Sequence, residues 1–373
     1  MSEGHVLIAA GGTGGHMVPA HAVARELERR GYRCSLITDA RGARIPGLFT
    51  GNERHIIAAA TIGRNPLKWP GAMWKIAKGR AQAAKIIADD RPVAVVGFGG
   101  YPVLPAMLSA VKANVPTLIH EQNAVLGRVN RVLQGRVDGI ALSFAETSQL
   151  GQPDKATLTG NPVRDDVAAL SEAAYPRFDD IVPLRVLVLG GSLGATVLSD
   201  VVPRGLAMLP DALRQRLQVN QQARDEDIAD VAAAYRESGI PAELCTYMDD
   251  VPGALARAHL FIGRAGASTI AELTAAGRPA ILIPLPIATD DHQAVNTEEM
   301  VQVGGAVMLR QPQFTPKALA AQIAAMVAQP GSLGNAAARA KSVGRPDAAA
   351  RVADLAEALA GGRTRSDTKT ESV

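Results

Sequence analysis

Apolar residues in this chain come in short runs, each followed by a glycine turn or by a stretch with helical spacing. His5–Ala10 reads as a buried strand entering a glycine turn. Residues 18–30 follow as a helix with Ala22, Val23 and Leu27 on one face. Arg33–Thr38, Val93–Gly97 and Thr117–His120 are further strands, with Ile140–Ser143 and Ala156–Thr159 as short late ones. Helical spacing covers 72–89, Pro102–Ala113 and Leu126–Leu133. This alternation predicts a mostly parallel α/β sheet.

The rhythm breaks around 165–184, a mixed polar stretch with two prolines that reads as a linker. It restarts at Arg185 with RVLVLGGSLGA, again a strand running into a glycine turn. Leu217–Asn220, Ala242–Cys245, Leu260–Gly263 and Ala280–Pro284 supply later strands, with helices at 196–209, 223–238 and 268–276. The expectation is two Rossmann-like α/β domains, 1–164 and 185–344, facing one cleft. Residues 316–360 are alanine-rich and helical in propensity, and 345–360 is expected to cross back and complete the first domain. Residues 361–373 read as a flexible polar tail.

Composition narrows the function. A length of 373 residues suits two domains, and with aromatics at only 3% their cores must rest on Ala, Val, Leu and Ile. A net charge of +3 is too mild to indicate nucleic acid. Cys34 and Cys245 form no CxxC and suggest no disulfide framework. The N-terminus lacks the form of a signal peptide, and no apolar stretch is long enough for a spanning helix. A cytoplasmic protein able to touch a membrane peripherally is expected.

Several loops carry candidate chemistry. In Gly11-Gly12-Thr13-Gly14-Gly15-His16 the glycines let backbone N–H groups approach an anion, and His16 can act as a general base or simply order the loop. Gly190-Gly191-Ser192-Leu193-Gly194-Ala195 repeats the layout without the lysine of a P-loop. Glu121 and Asn123 in HEQN can bond a sugar or hold a loop, and Arg164 in GNPVR can fork onto a diphosphate or form an interdomain salt bridge. In the run Gly263–Glu272, Ser268 is a plausible N-cap, the helix start suits a diphosphate, and Glu272 can bridge two ribose hydroxyls. Asp290 or Asp291 can cap the next helix, with His292, Gln293 and Asn296 as hydroxyl partners. Trp69 and Trp74 lie among Arg64, Lys68, Lys75, Lys78, Arg80 and Lys85, a mixture that fits an anionic lipid surface as well as a solvated helix. Aspartate pairs such as Asp89–Asp90 read as caps rather than metal ligands, and no metal site is expected.

In combination, GGTGGH, HEQN, GNPVR, GGSLGA, GRAGASTIAE and DHQxxN resemble the bacterial N-acetylglucosaminyl transferases that convert lipid I into lipid II, over about residues 4–358. The resemblance implies the GT-B arrangement and an inverting transfer of N-acetylglucosamine from UDP-N-acetylglucosamine to the C4 hydroxyl of the acceptor sugar. It implies that Arg164 and Ser192 lie near the donor diphosphate, that Met248 offers its backbone to uracil, and that Ala267, Ser268 and Thr269 contact phosphate. Glu272 would hold the ribose, with His292, Gln293 and Asn296 near the sugar and Asn123 reaching that sugar from the first domain. Thr13, Gly14, Gly15 and His16 would serve the undecaprenyl-diphosphate acceptor, with the same glycine loop also near the donor. Trp69, Trp74, Lys68, Lys75 and Lys78 would meet the cytoplasmic face of the inner membrane. No cofactor is implied beyond the nucleotide sugar, and no catalytic metal. Implied partners are lipid I, the anionic membrane surface and cell-wall synthesis and division proteins, but no nucleic acid. Leu193 departs from the family's usual Gln.

Three other readings compete. A UDP-N-acetylglucosamine epimerase would leave the tryptophan segment idle. A dinucleotide oxidoreductase would need Asp39 as its acidic ribose partner, and that residue is poorly spaced. A catalytically silent sugar-nucleotide-binding scaffold would bind donor without transfer.

Overall fold

The computed structural model describes residues 4–60, 69–179, 181–191 and 194–370. The chain divides into two compact units, residues 1–164 with 347–373 and residues 165–346.

The first unit carries strands β1 (His5–Ala9), β2 (Arg33–Thr38), β3 (Glu53–Ile56), β4 (Ala94–Gly97), β5 (Thr117–Glu121), β6 (Gly139–Leu142) and β7 (Ala156–Leu158). Its helices are α1 (Gly14–Arg29), α2 (Trp69–Asp90), α3 (Val103–Lys112) and α4 (Arg128–Leu133). The strands form one parallel sheet in the order β3-β2-β1-β4-β5-β6-β7. Strand order reverses between β1 and β4, and the turns at the carboxyl ends of these strands flank the place where such sheets bind ligands. Central strands such as Val6–Ala9 and Val95–Val96 are buried on both faces, as parallel sheets with helical cover require.

The second unit begins with α5 (Asp165–Ala168) and holds β8 (Leu184–Leu189), β9 (Leu217–Gln222), β10 (Ala242–Cys245), β11 (Leu260–Gly263), β12 (Ala280–Leu282) and β13 (Ala306–Met308). Its helices continue with α6 (Thr196–Ala207), α7 (Asp211–Arg214), α8 (Ile228–Glu237), α9 (Val251–Arg257) and α10 (Ala267–Ala276). After them come α11 (His292–Asn296), α12 (Glu298–Gln302), α13 (Pro316–Val327) and α14 (Ser332–Ser342). This sheet is also parallel, in the order β10-β9-β8-β11-β12-β13, so it too reverses beside its first strand.

The last helix, α15 (Ala348–Thr370), packs on α1 and on β4–β6 of the first unit. Val352, Ala353 and Ala356 are buried there. Arg30 on α1 fastens it, donating to Asp354 at 2.6 Å, to Glu357 at 2.7 Å and to the Ala350 carbonyl at 3.2 Å. Residues 361–370, expected as part of a tail, continue this helix through Gly361 and Gly362.

Two expected features differ. Residues 165–184 are not a free linker but part of the second unit, because their aromatic side chains are anchored there. Tyr175 donates to the His259 carbonyl at 2.8 Å, and the guanidinium of Arg278 stacks 5.6 Å from the Tyr175 ring centre. Strands β3 and β13 were absent from the sequence expectation. The β3 sequence ERHI is an edge strand whose charge masks its periodicity.

Arg278 is 1% exposed and is held by main-chain carbonyls: Leu255 and Ala276 at 2.6 Å, Gly277 at 3.1 Å and Ala256 at 3.2 Å. It ties the end of α9 to the end of α10. Replacing Arg278 with Ala would orphan several buried acceptors and should destabilise the second unit by roughly 3 kcal/mol. Urea unfolding of the variant checks this, and an unchanged midpoint would refute it.

Candidate functional site

In the first unit the glycine turn after β1 packs directly on the turn after β4. The Gly11 N–H donates to the Gly99 carbonyl at 3.2 Å. A Cβ on Gly100, where φ is +85°, would lie 2.5 Å from the Gly11 oxygen, and a Cβ on Gly11 would lie 2.3 Å from Pro102 Cγ. Only glycine allows this approach. Thr13 is the N-cap of α1 by backbone alone, and Gly14, Gly15 and His16 occupy its first turn.

His16 is placed by the same contact. Its Nδ1 lies 3.1 Å from the Gly11 carbonyl. A carbonyl only accepts, so Nδ1 carries the proton and Nε2 keeps its lone pair. A Cβ at Gly99 would sit 2.8 Å from His16 Cδ2 and 3.0 Å from Nε2. Burial lowers the His16 pKa, against opposing effects from Glu121 and the Gly11 carbonyl. The ring is therefore held as a neutral imidazole in one tautomer, the form a general base needs.

The HEQN residues mostly build the platform. Glu121 is buried and accepts from the N–H groups of Asn123 (3.0 Å) and Gly127 (2.7 Å) and from Asn130 Nδ2 (2.9 Å). Of the two roles open to it, Glu121 takes loop anchor. Asn123 also donates its side-chain Nδ2 to Glu121 at 3.3 Å. Gln122 donates to the Phe98 carbonyl at 2.9 Å and to His120 Nδ1 at 3.0 Å, while His120 Nε2 donates to the Gly160 carbonyl at 2.9 Å. These bonds join the ends of β4, β5 and β7, just before Arg164. Asp39 accepts from Gly12 N at 3.2 Å and Gly42 N at 2.9 Å. It holds the glycine turn.

In the second unit α10 starts at Ala267, with Gly266 as an extended-backbone N-cap. Ser268 is thus the second helical residue and not the cap. Its Oγ is buried and has no hydrogen-bond partner. The first intrahelical bond runs from Ile270 N to Gly266 O, so the N–H groups of Ala267, Ser268 and Thr269 have no acceptor within the helix. Glu272 lies one turn further on and is half-buried.

The surrounding groups hold this helix start in place. Asn296 is fully buried and donates to the Ala265 carbonyl at 3.4 Å. Arg264 donates to the carbonyls of Ile283 and Pro284, both at 3.2 Å, and to Gln311 at 2.9 Å. Gln293 accepts from Leu285 N at 3.0 Å. Asp291, the N-cap of α11, does not cap it through its side chain; Asp290 and Asp291 both take left-handed backbone, and Asp291 pairs with Arg310 at 2.9 Å. Gln222 at the end of β9 accepts from Gly190 N at 3.3 Å and donates to the Thr246 carbonyl at 3.2 Å. It thereby joins the GGSLGA turn to the loop that carries half-buried Met248. Sequence reasoning passed over Gln222, whose signal was a polar residue at a strand's carboxyl end. Ser192 and Leu193 lie outside the described residues.

Helix α2 turns Ala72, Gly79, Ala83 and Ile87 inward. Trp69, Met73 and Trp74 are exposed at 46%, 55% and 63%, beside exposed Lys75 and Lys78. The Lys78 ammonium sits 5.3 Å from the Trp74 ring centre. These tryptophans are not core residues. Lys68 and Arg64 lie outside the described residues. No helix among the described residues is long and apolar enough to cross a membrane.

Two predictions follow from the platform. Gly99→Ala should displace the His16 ring and lower turnover, read in a steady-state assay, by about 100-fold. Wild-type turnover in that variant would contradict the packing argument. Burial pushes the His120 pKa down to about 4. The unfolded chain then binds the extra proton first, so His120 contributes stability that is complete above about pH 6.5 and lost as pH falls toward 4. The loss is about 3 kcal/mol at most. His120→Gln should flatten the stability profile measured between those pH values, and an equally steep profile would rule the contribution out.

The glycosyltransferase family 28 N-terminal domain matches residues 6–142, and the family 28 C-terminal domain matches residues 185–354. The chain is 56% identical to the UDP-N-acetylglucosamine–N-acetylmuramyl-(pentapeptide) pyrophosphoryl-undecaprenol N-acetylglucosamine transferase of Erythrobacter litoralis, over 96% of this chain and 90% of that protein. It is 55% identical to the protein of that name from Novosphingobium aromaticivorans, over 95% and 92%. The crystal structure of Acinetobacter baumannii MurG superposes with a TM-score of 0.76 at 29% identity, covering 95% of this chain and 99% of that one. Two parallel α/β units with paired glycine turns, and sequence identity above half across nearly the full length, place this chain in the family of UDP-N-acetylglucosamine–N-acetylmuramyl-(pentapeptide) pyrophosphoryl-undecaprenol N-acetylglucosamine transferases.

Proposed function

We propose that this chain transfers N-acetylglucosamine from UDP-N-acetylglucosamine to the C4 hydroxyl of the N-acetylmuramyl sugar of lipid I, giving lipid II with inversion at C1. His16 takes the proton of the attacking hydroxyl on Nε2. The hydroxyl oxygen forms the new bond to C1 as the bond to the UDP oxygen breaks. The observation that carries this reading is the placement of His16, with Nδ1 bound to the Gly11 carbonyl and Nε2 beside the bare Gly99 backbone.

The leaving diphosphate gathers negative charge as the bond breaks. The unpaired N–H groups at the start of α10 and the unpartnered Ser268 hydroxyl supply donors for it without a metal. Arg164 and Ser192 are assigned to the same diphosphate, Met248 to uracil, and Glu272 to the ribose. Asn123, Gln293 and Asn296 are assigned to the donor sugar and its surroundings. For Gln293 and Asn296 the assignment is partly indirect, since each already braces a loop. The glycine turn at 13–16 takes the acceptor diphosphate. What supports peripheral contact with an anionic inner-membrane surface is the exposed Trp69, Met73, Trp74, Lys75 and Lys78 on α2.

Radiolabelled transfer from UDP-N-acetylglucosamine to a lipid I analogue, with EDTA present, tests the reaction and the absence of a catalytic metal together. His16→Ala should lower kcat by about 100-fold or more while leaving UDP affinity intact. An unchanged kcat would remove His16 as the base. Glu272→Ala should weaken UDP binding about tenfold, the loss expected for hydrogen bonds to a charged group, and calorimetry showing wild-type affinity would sink the ribose assignment.

A further inference from the structure

A second cluster lies at an edge of the first sheet, in residues the transfer reaction does not use. Strand β3 pairs in parallel with β2, Glu53 opposite Ser35 and His55 opposite Ile37. Residues two apart on a strand point to one face, so Glu53 and His55 share a side. The last residue of α2, Asp90, meets them there. Candidate ligand atoms from Glu53, His55 and Asp90 all lie within 4.8 Å of one another. His55 Nε2 is 3.3 Å from Asp90 Oδ2 and 3.8 Å from Glu53 Oε1.

The detailed geometry is not that of an ordinary hydrogen-bonded pair. His55 Nε2 and Asp90 Oδ2 are both buried atoms, and neither makes a hydrogen bond despite their separation. The in-plane axis of Nε2 therefore does not aim at the carboxylate oxygen. Zinc bound to nitrogen and oxygen at about 2.0–2.1 Å in tetrahedral geometry holds its donors roughly 3.3 Å apart, with the metal on the nitrogen axis and the oxygen off it. The observed pair has that relationship. Glu53 is the adjustable member, with a side chain 55% exposed, and its other oxygen lies 3.4 Å from Arg33 Nη1. A carboxylate ligand with an outer partner of this kind is common around bound metals.

We propose that Glu53, His55 and Asp90 form a binding site for one divalent transition-metal ion of the zinc type, with solvent completing the coordination. Two carboxyl groups and an imidazole match the donor preference of that ion. The ion clamps the edge strand β3 to the last residue of α2, the helix that carries Trp69 and Trp74. Its role is structural, and it stands apart from the transfer chemistry.

The test uses the full chain without an affinity tag, stripped with EDTA and dialysed. Titration calorimetry with zinc chloride should show one saturable site per chain, and magnesium chloride should not. Zinc at about a hundredfold excess over its dissociation constant should raise the thermal unfolding midpoint by roughly 5 °C. His55→Ala should weaken zinc binding at least about tenfold and abolish the shift. Glu53→Gln, at an exposed position, should also weaken it and guards against a His55 variant that fails to fold, which circular dichroism would reveal. The absence of a saturable zinc site would overturn the proposal, leaving the three residues as an ion-paired cluster. Zinc bound equally well by both folded variants would also overturn it, as adventitious binding elsewhere.

Discussion

Each unit depends on one close contact between two strand ends. In the first, the Gly100 backbone rests where a Cβ would stand 2.5 Å from the Gly11 carbonyl. In the second, Gly263 packs where a Cβ would stand 2.3 Å from the Leu189 carbonyl. Both contacts lie where strand order reverses, β1 beside β4 and β8 beside β11. With no side chain in the way, the turns can present backbone N–H groups and a helix start to a ligand. His16 is oriented by this contact, and the start of α10 emerges from its counterpart.

A second layer keeps those turns rigid, and again the two units arrive at similar means. Gln122 and Gln222 each sit at or just past the carboxyl end of a strand and spend their amides on neighbouring loops. Glu121, Asp39, Arg264 and Asn296 do likewise with charged or amide side chains. Many polar residues near the candidate sites thus serve the scaffold. Catalytic positioning requires such support, because a group misplaced by an ångström loses much of its effect.

The architecture was legible in sequence because both units are built from buried parallel strands, whose apolar runs stand out. Strand Arg33–Thr38 and strand Ala242–Cys245 have the expected limits. Strand β3 did not stand out, since an edge strand of charged residues carries no apolar signal. The glycine turns and His16 were legible as candidates, but the tautomer of His16 depends on a carbonyl that only the folded turn supplies. Ser268 looked like a cap because a serine ahead of an apolar run usually is one; Gly266 takes that place through backbone conformation alone. Roles such as that of Arg278 arise from carbonyls far along the chain and leave no local pattern.

Helix α15 has a consequence for the order in which the chain can take shape. The second unit is one continuous segment, 165–346, whereas the first needs residues 347 onward to cover β4–β6 and to pair with Arg30. During synthesis the amino-terminal sheet emerges first but is completed last. Until then the surface that will receive Val352, Ala353 and Ala356 stays open to water, so the nascent chain passes through a stage in which its earliest-made half is its least finished.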